Sequence, residues 1–76
     1  VLRQAVIHEM IAGALRRGQA DGELRSDFDP GLVAAQCLAF LLGLQMYREH
    51  GPRGVDLVAV ASDFAERLRR DLTVER

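Results

Sequence analysis

The chain has 76 residues, ten of them basic and eleven acidic, for a formal charge of -1. A domain this small buries only about 60% of the surface its unfolded chain exposes, so it normally leans on disulfides, a metal or a partner subunit. Cys37 is the only cysteine, which excludes an intrachain disulfide, and two scattered histidines with one cysteine give no zinc-ligand spacing. A partner chain is what remains. The near-balanced charge excludes a global field that would draw the chain to nucleic acid or to an anionic membrane. All the basic residues are arginine, a compositional bias that carries no function.

Val1 already stands inside a helical pattern with no capping residue ahead of it, so the expectation is a piece cut from a longer protein. No signal-peptide order of charged, apolar and small residues opens the sequence. The spacing of Ile7, Met10, Ile11, Ala14 and Leu15 follows one helix face and predicts a first helix over about 1–21. Arg16 and Arg17 suit its negative C-terminal end, and Gly22 is a natural stop. The connection 22–29 mixes turn-forming and charged residues with Leu24 and Phe28, which anchor it to the core.

Asp29 can accept from the free amides of a following helix, and Pro30 fits the first helical position, where its missing N–H costs nothing. Phe28 and Val33 have the spacing of a hydrophobic staple. The second helix is predicted over about 30–49 and is apolar nearly all round, which calls for neighbours on more than one side. At 100° per residue, Gln36, Phe40, Gly43 and Tyr47 fall on one side, Ala35, Leu38, Leu42 and Met46 roughly opposite, and Val33, Cys37, Leu41 and Leu44 between them. The first side mixes aromatics, an amide and a glycine, a composition closer to an interface than to a monomer core, and is assigned to a partner. The run 31–47 falls about one turn short of the roughly 20 apolar residues a membrane span needs and carries Gln36 and Gln45, so no membrane role is expected.

Two glycines and a proline within 50–54 break the chain, and so short a link joins antiparallel helices. A third helix is predicted over about 55–72, with Leu57, Val58, Ala61, Phe64, Ala65, Leu68 and Leu72 on one stripe and Asp63, Glu66, Arg67, Arg69 and Arg70 wet. The pairs Asp63–Arg67 and Glu66–Arg70 are each worth about 0.2–0.5 kcal/mol. Residues 73–76 have nothing to bury and are expected to fray.

No catalytic arrangement stands out, and no enzyme activity is expected. His8 reads as a margin histidine of the first helix or as a pocket contact, and His50 as a solvated turn residue. The apolar neighbours of Cys37 raise its pKa and leave it inert. Asp27 and Asp29 resemble an acid/base pair only in isolation, since Asp29 has a capping task and no histidine or metal cluster stands near. Glu66 and Asp71 interrupt the patch of Arg67, Arg69 and Arg70, which is no nucleic-acid footprint. A phosphate-binding loop of the GxxxxGK type is absent. Tyr47 suits equally a hydrogen bond to a ligand or partner and an amphipathic place at a helix rim.

The order of signals says more than any one residue. In the segment GQADGELRSDFDPGLVAAQCLAFLLGL, Gly18 and Gly22 close a helix, Leu24, Arg25 and Asp27 form a short Leu-Arg and acidic stretch, Asp29 and Pro30 start the next helix, Ala34 follows, and Gly43 and Leu44 pair near its far end. This resembles the C-terminal regulatory domain of TetR-family transcriptional regulators. The match covers the middle of the chain, and the third helix fits by position and pattern.

The resemblance implies a cytoplasmic bacterial regulator that is all-α and homodimeric, responds to a small-molecule effector, and needs no cofactor or metal. Residues 1–76 would be its C-terminal regulatory and dimerisation part: one helix, then an antiparallel hairpin that packs on its symmetry mate as a four-helix bundle. The helix-turn-helix that reads DNA lies N-terminal in the family, so no DNA-contacting residue can be named in this chain. The implied dimer contact is Gln36, Phe40, Gly43, Leu44 and Tyr47 of the second helix with Leu57, Val60, Phe64 and Leu68 of the third. Most of the effector pocket precedes these helices, leaving His8 and Met10 as the implied ligand contacts. The alternative is a free-standing helical homodimerisation module with no role on DNA.

Overall fold

The computed structural model describes residues 2–74, folded into three helices: α1 (Leu2–Ala20), α2 (Pro30–His50) and α3 (Leu57–Leu72). The fold is all-α, as expected from the periodicities. The one β feature among the described residues is an isolated antiparallel bridge between Leu24 and Thr73. Val1, expected to open the first helix, lies outside the described residues, as do Glu75 and Arg76.

The caps explain the boundaries. Asp29 holds the start of α2, its Oδ1 accepting from the amides of Gly31 at 2.9 Å and Leu32 at 3.4 Å, with Pro30 at the first position. Helix α3 begins two residues later than the periodicity predicts, because Asp56 caps it, accepting from the Ala59 amide at 3.1 Å. Helix α2 runs one residue further, to His50, and the Gly51 amide closes it on the Tyr47 carbonyl at 2.7 Å. After α1 the chain turns at Gly22, whose φ of +78° suits a residue without a Cβ. Gly18 matters for another reason: a Cβ there would stand 2.5 Å from Leu24 Cδ1, so the leucine folds back over the helix end only because the glycine leaves room. The Gln19 amide ties the loop to α1, donating to the carbonyls of Arg25 and Phe28, both at 3.0 Å.

The same loop receives the end of α3. The Arg25 amide donates to the Leu72 carbonyl at 2.8 Å and the Val74 amide to the Glu23 carbonyl at 3.2 Å, while the Arg25 guanidinium reaches the Asp71 carbonyl. Thr73 and Val74 are therefore half-buried and held, which corrects the expectation of fraying at these two positions. Their anchor is backbone pairing, which leaves no apolar signal in the side chains.

Helix α2 lies between the other two. Helices α1 and α3 make no close backbone approach to each other among the described residues, and the molecule extends 41 × 33 × 14 Å. It is thus a single layer of helices. Its radius of gyration, 14.0 Å, exceeds the roughly 11.4 Å of a compact chain this long. Among the described residues the buried apolar side chains are Ala12, Val33 and Ala34, all at the contact of α1 with α2. That contact also corrects the stripe read for α1. Ala12 sits at its centre, with Gln4, His8, Ile11 and Leu15 beside it, whereas Met10 and Ala14 face outward. The small alanines let the backbones approach, and the rotation places His8 Nε2 3.1 Å from the Gly31 carbonyl, to which it donates.

Candidate dimerisation surface

The hairpin of α2 and α3 carries every residue expected at the dimer contact, and the structure divides that set in two. Phe40 and Phe64 stack on each other within the chain, ring centroids 4.0 Å apart and planes 9° from parallel. Leu44, Leu57 and Leu68 are half-buried with them along the seam between the helices. Gln36, Gly43, Tyr47 and Val60 are exposed. A phenylalanine chosen for an interface thus serves first to hold α3 on α2.

What lies uncovered on α2 is the stripe Leu32, Ala35, Ala39, Leu42 and Met46, with Gly43 beside it. Leu32 is 61% exposed, Leu42 45% and Met46 60%. Their steps of three and four residues place all five along one line of the helix, the spacing of a helix–helix seam. Ala35, Leu42 and Met46, expected on a buried face of the chain itself, are turned to solvent, because α1 and α3 both sit on the opposite side of α2, over Val33, Ala34, Cys37, Phe40 and Leu44.

Area measures how incomplete the layer is. The chain exposes 5898 Å², against about 4,600 Å² for a compact 8.4 kDa protein by the usual surface–mass relation. The excess of about 1,300 Å² is of the size one partner contributes to a homodimer interface, where about 800 Å² a side is standard and obligate pairs bury more. The stripe is also small at its middle, since Ala35, Ala39 and Gly43 let a facing helix come close. Nothing within 4 Å meets a Cβ built on Gly43, so no neighbour inside the chain requires the glycine.

The ion pairs of the hairpin among the described residues lie on the outer face of α3. Arg67 pairs with Asp63 at 2.8 Å, and Glu66 with Arg69 at 2.7 Å and more loosely with Arg70 at 4.0 Å. The Arg69 guanidinium holds the Glu66 carboxyl below its usual range, and Asp63 raises Arg67. This face is wet, as expected, and its arginines are paired with carboxylates. Burial pushes the Cys37 thiol up, away from thiolate chemistry at neutral pH.

The implied ligand contacts are not brought together. The His8 ring is engaged with Gly31, and Met10 is exposed on the far side of α1. No cluster of three or more His, Cys, Asp or Glu able to hold a metal occurs among the described residues. Helix α2, at 21 residues, is by length and composition alone long and apolar enough to cross a membrane, although its uncharged run still ends at Tyr47. It gains that length from Pro30 and the terminal residues as far as His50. In comparisons with known proteins the chain matches no family model, no curated protein and no solved structure.

Proposed function

We propose that this chain is the regulatory and dimerisation part of a TetR-like, small-molecule-responsive transcriptional regulator, acting as a repressor, and that its partner is a second copy of itself. The observation that carries the dimer is the uncovered stripe of α2: Leu32, Ala35, Ala39, Leu42 and Met46 in steps of three and four on a helix whose other side is already occupied. A single helical layer must bury its apolar face against a second layer, and a twofold copy supplies one of matching shape. The contact we propose centres on that stripe and Gly43. It borrows Gln36 and Tyr47 at its edges and leaves Phe40 and Phe64 to join the hairpin. Across such a contact, an effector bound nearer the N-terminal side would favour one relative setting of the two subunits, and so one spacing of their DNA-binding heads.

A membrane is the competing cover for an apolar helix of 21 residues. The flanking helices argue against it. Asp63, Glu66, Arg67, Arg69 and Arg70 ride on α3 beside α2, and a spanning α2 would carry these charges toward hydrocarbon at several kcal/mol each.

The regulator and a free-standing dimerisation module are separated by the coding sequence upstream of Val1 and by one assay on the protein it encodes. The regulator reading expects about 100 preceding residues with a basic three-helix segment, and DNA binding that Leu42→Asp abolishes while the helical content stays. A start codon next to Val1, or DNA binding unaffected by Leu42→Asp, contradicts it.

A further inference from the structure

Away from the α2 stripe, on the side of α2 that faces α3, an open groove of about 610 Å³ runs between the second half of α2 and the first half of α3. Its size falls within the roughly 300–1,000 Å³ of small-molecule sites. Leu41, Leu44, Leu57, Val58 and Ala61 line it, and Gln45, Ser62 and Arg48 give it polar edges. Val58, 77% exposed, is the most uncovered large apolar residue of α3, so the groove wall is wet in the chain as it stands.

The charge at one end of the groove has no carboxylate partner among the described residues. Arg16, Arg25, Arg67, Arg69 and Arg70 all have carboxylate partners within the chain. Among the described residues Arg3 and Arg17 on α1 have none, nor has Arg48, nor Arg53, which lines an adjoining cleft that shares Arg48 and Leu57 with the groove. An apolar trough thus leads to a pair of unneutralised guanidinium groups. Along α2 the distance from Leu41 to Arg48 is about 10 Å, close to the length of an extended chain of about eight carbons.

We propose that the groove binds a medium-chain aliphatic carboxylate, its tail along Leu41, Leu44, Val58 and Ala61 and its head on Arg48. A planar guanidinium takes a carboxylate through two parallel hydrogen bonds, a geometry that an alcohol cannot satisfy. The tail is driven in by removing apolar surface from water. The groove and the α2 stripe occupy different sides of the helix, so a second copy on the stripe leaves the groove open and this site does not depend on dimerisation.

The test is calorimetric titration of the chain with decanoate, kept below its micelle concentration, beside decanol and small unilamellar vesicles of anionic phospholipid. Decanoate should bind saturably, one per chain, and R48Q should weaken it about tenfold or more while decanol is unaffected by the change. R17Q, which removes an arginine of α1 remote from the groove, should leave decanoate binding intact. Backbone amide shifts confined to 41–48 and 57–62 would locate the site. Absence of saturable decanoate binding overturns the proposal. So do equal affinities for decanol and decanoate, equal losses in R17Q and R48Q, or binding to vesicles alone. Circular dichroism of R48Q guards against a folding defect; should that variant unfold, loss of affinity on replacing decanoate by its methyl ester tests the same contact in the unaltered chain.

Discussion

The two contacts that α2 makes are built on opposite plans. Against α1 it uses small residues: Ala12, Val33 and Ala34 are the buried side chains of the described chain, and a histidine–carbonyl hydrogen bond fixes the register. Against α3 it uses large ones, with two stacked phenylalanines bridging helices that stand further apart and a groove left open beside them. The first contact is finished within the chain and the second is not. A helix with one completed and one incomplete neighbour, and an apolar stripe facing neither, is a component awaiting cover. The surface excess of about 1,300 Å² expresses the same deficit.

The α1 contact, the tighter of the two, is the more sensitive to substitution. Ala12→Leu inserts three heavy atoms where the α1 and α2 backbones approach, and overpacking of this kind costs about 3 kcal/mol, so chemical denaturation should show a clear loss of stability. A loss below about 0.5 kcal/mol would mean that the α1 contact is as loose as the other. On the open side, Phe64→Ala deletes one ring of the stack. Because the ring is only half-buried, the cost should be about 2 kcal/mol, less than full core truncations, and hydrogen exchange should rise in α3 while α1 keeps its protection. Uniform acceleration across all three helices would show the hairpin and the α1 contact to be one cooperative unit.

Smaller effects sharpen the boundary between the two regions. Asp29→Ala removes the acceptor for Gly31 and Leu32 at the start of α2, next to the carbonyl that His8 uses, and should cost about 1 kcal/mol in thermal or denaturant melts. The smallest effect is with pH. Arg25 holds the Asp27 carboxyl below its usual range through a charged hydrogen bond, and Arg69 does the same to Glu66. A carboxyl whose folded pKa lies below its unfolded one stabilises the fold above the unfolded value, and that contribution is lost as pH falls through the folded value. Melting temperature should therefore be flat near neutrality and decline slightly below about pH 4, less so in high salt, since both groups are fully exposed and screened. A decline that begins near pH 6 would implicate a histidine instead.

Much of the architecture was legible because its signals are local. Asp29 and Pro30 start α2, Gly22 takes the left-handed turn, and the breaker run 50–54 separates α2 from α3; each depends on neighbours within a few residues. Asp56 was legible too, as a carboxylate three residues before Ala59, but the apolar Val55 drew the predicted helix past it. What periodicity cannot supply is the choice between faces. It marked α2 as apolar on two sides, yet α3 takes the side of Phe40 because Phe64 stacks there, a contact 24 residues distant in sequence. The rotation of α1 toward Ala12 and the pinning of Thr73 and Val74 are likewise long-range, the latter made by backbone groups that any residue carries.

In the proposed dimer, the Leu32–Ala35–Ala39–Leu42–Met46 stripe of α2 is covered by the same stripe of a second copy. Sedimentation equilibrium across a hundredfold range of concentration, on the chain and on Leu42→Asp, tests it most directly. The expected result is a mass of about twice 8.4 kDa for the chain and a rise of about a hundredfold in the dissociation constant for Leu42→Asp, with helical content retained. A folded monomer at every concentration, or a dimer indifferent to Leu42→Asp, would contradict it.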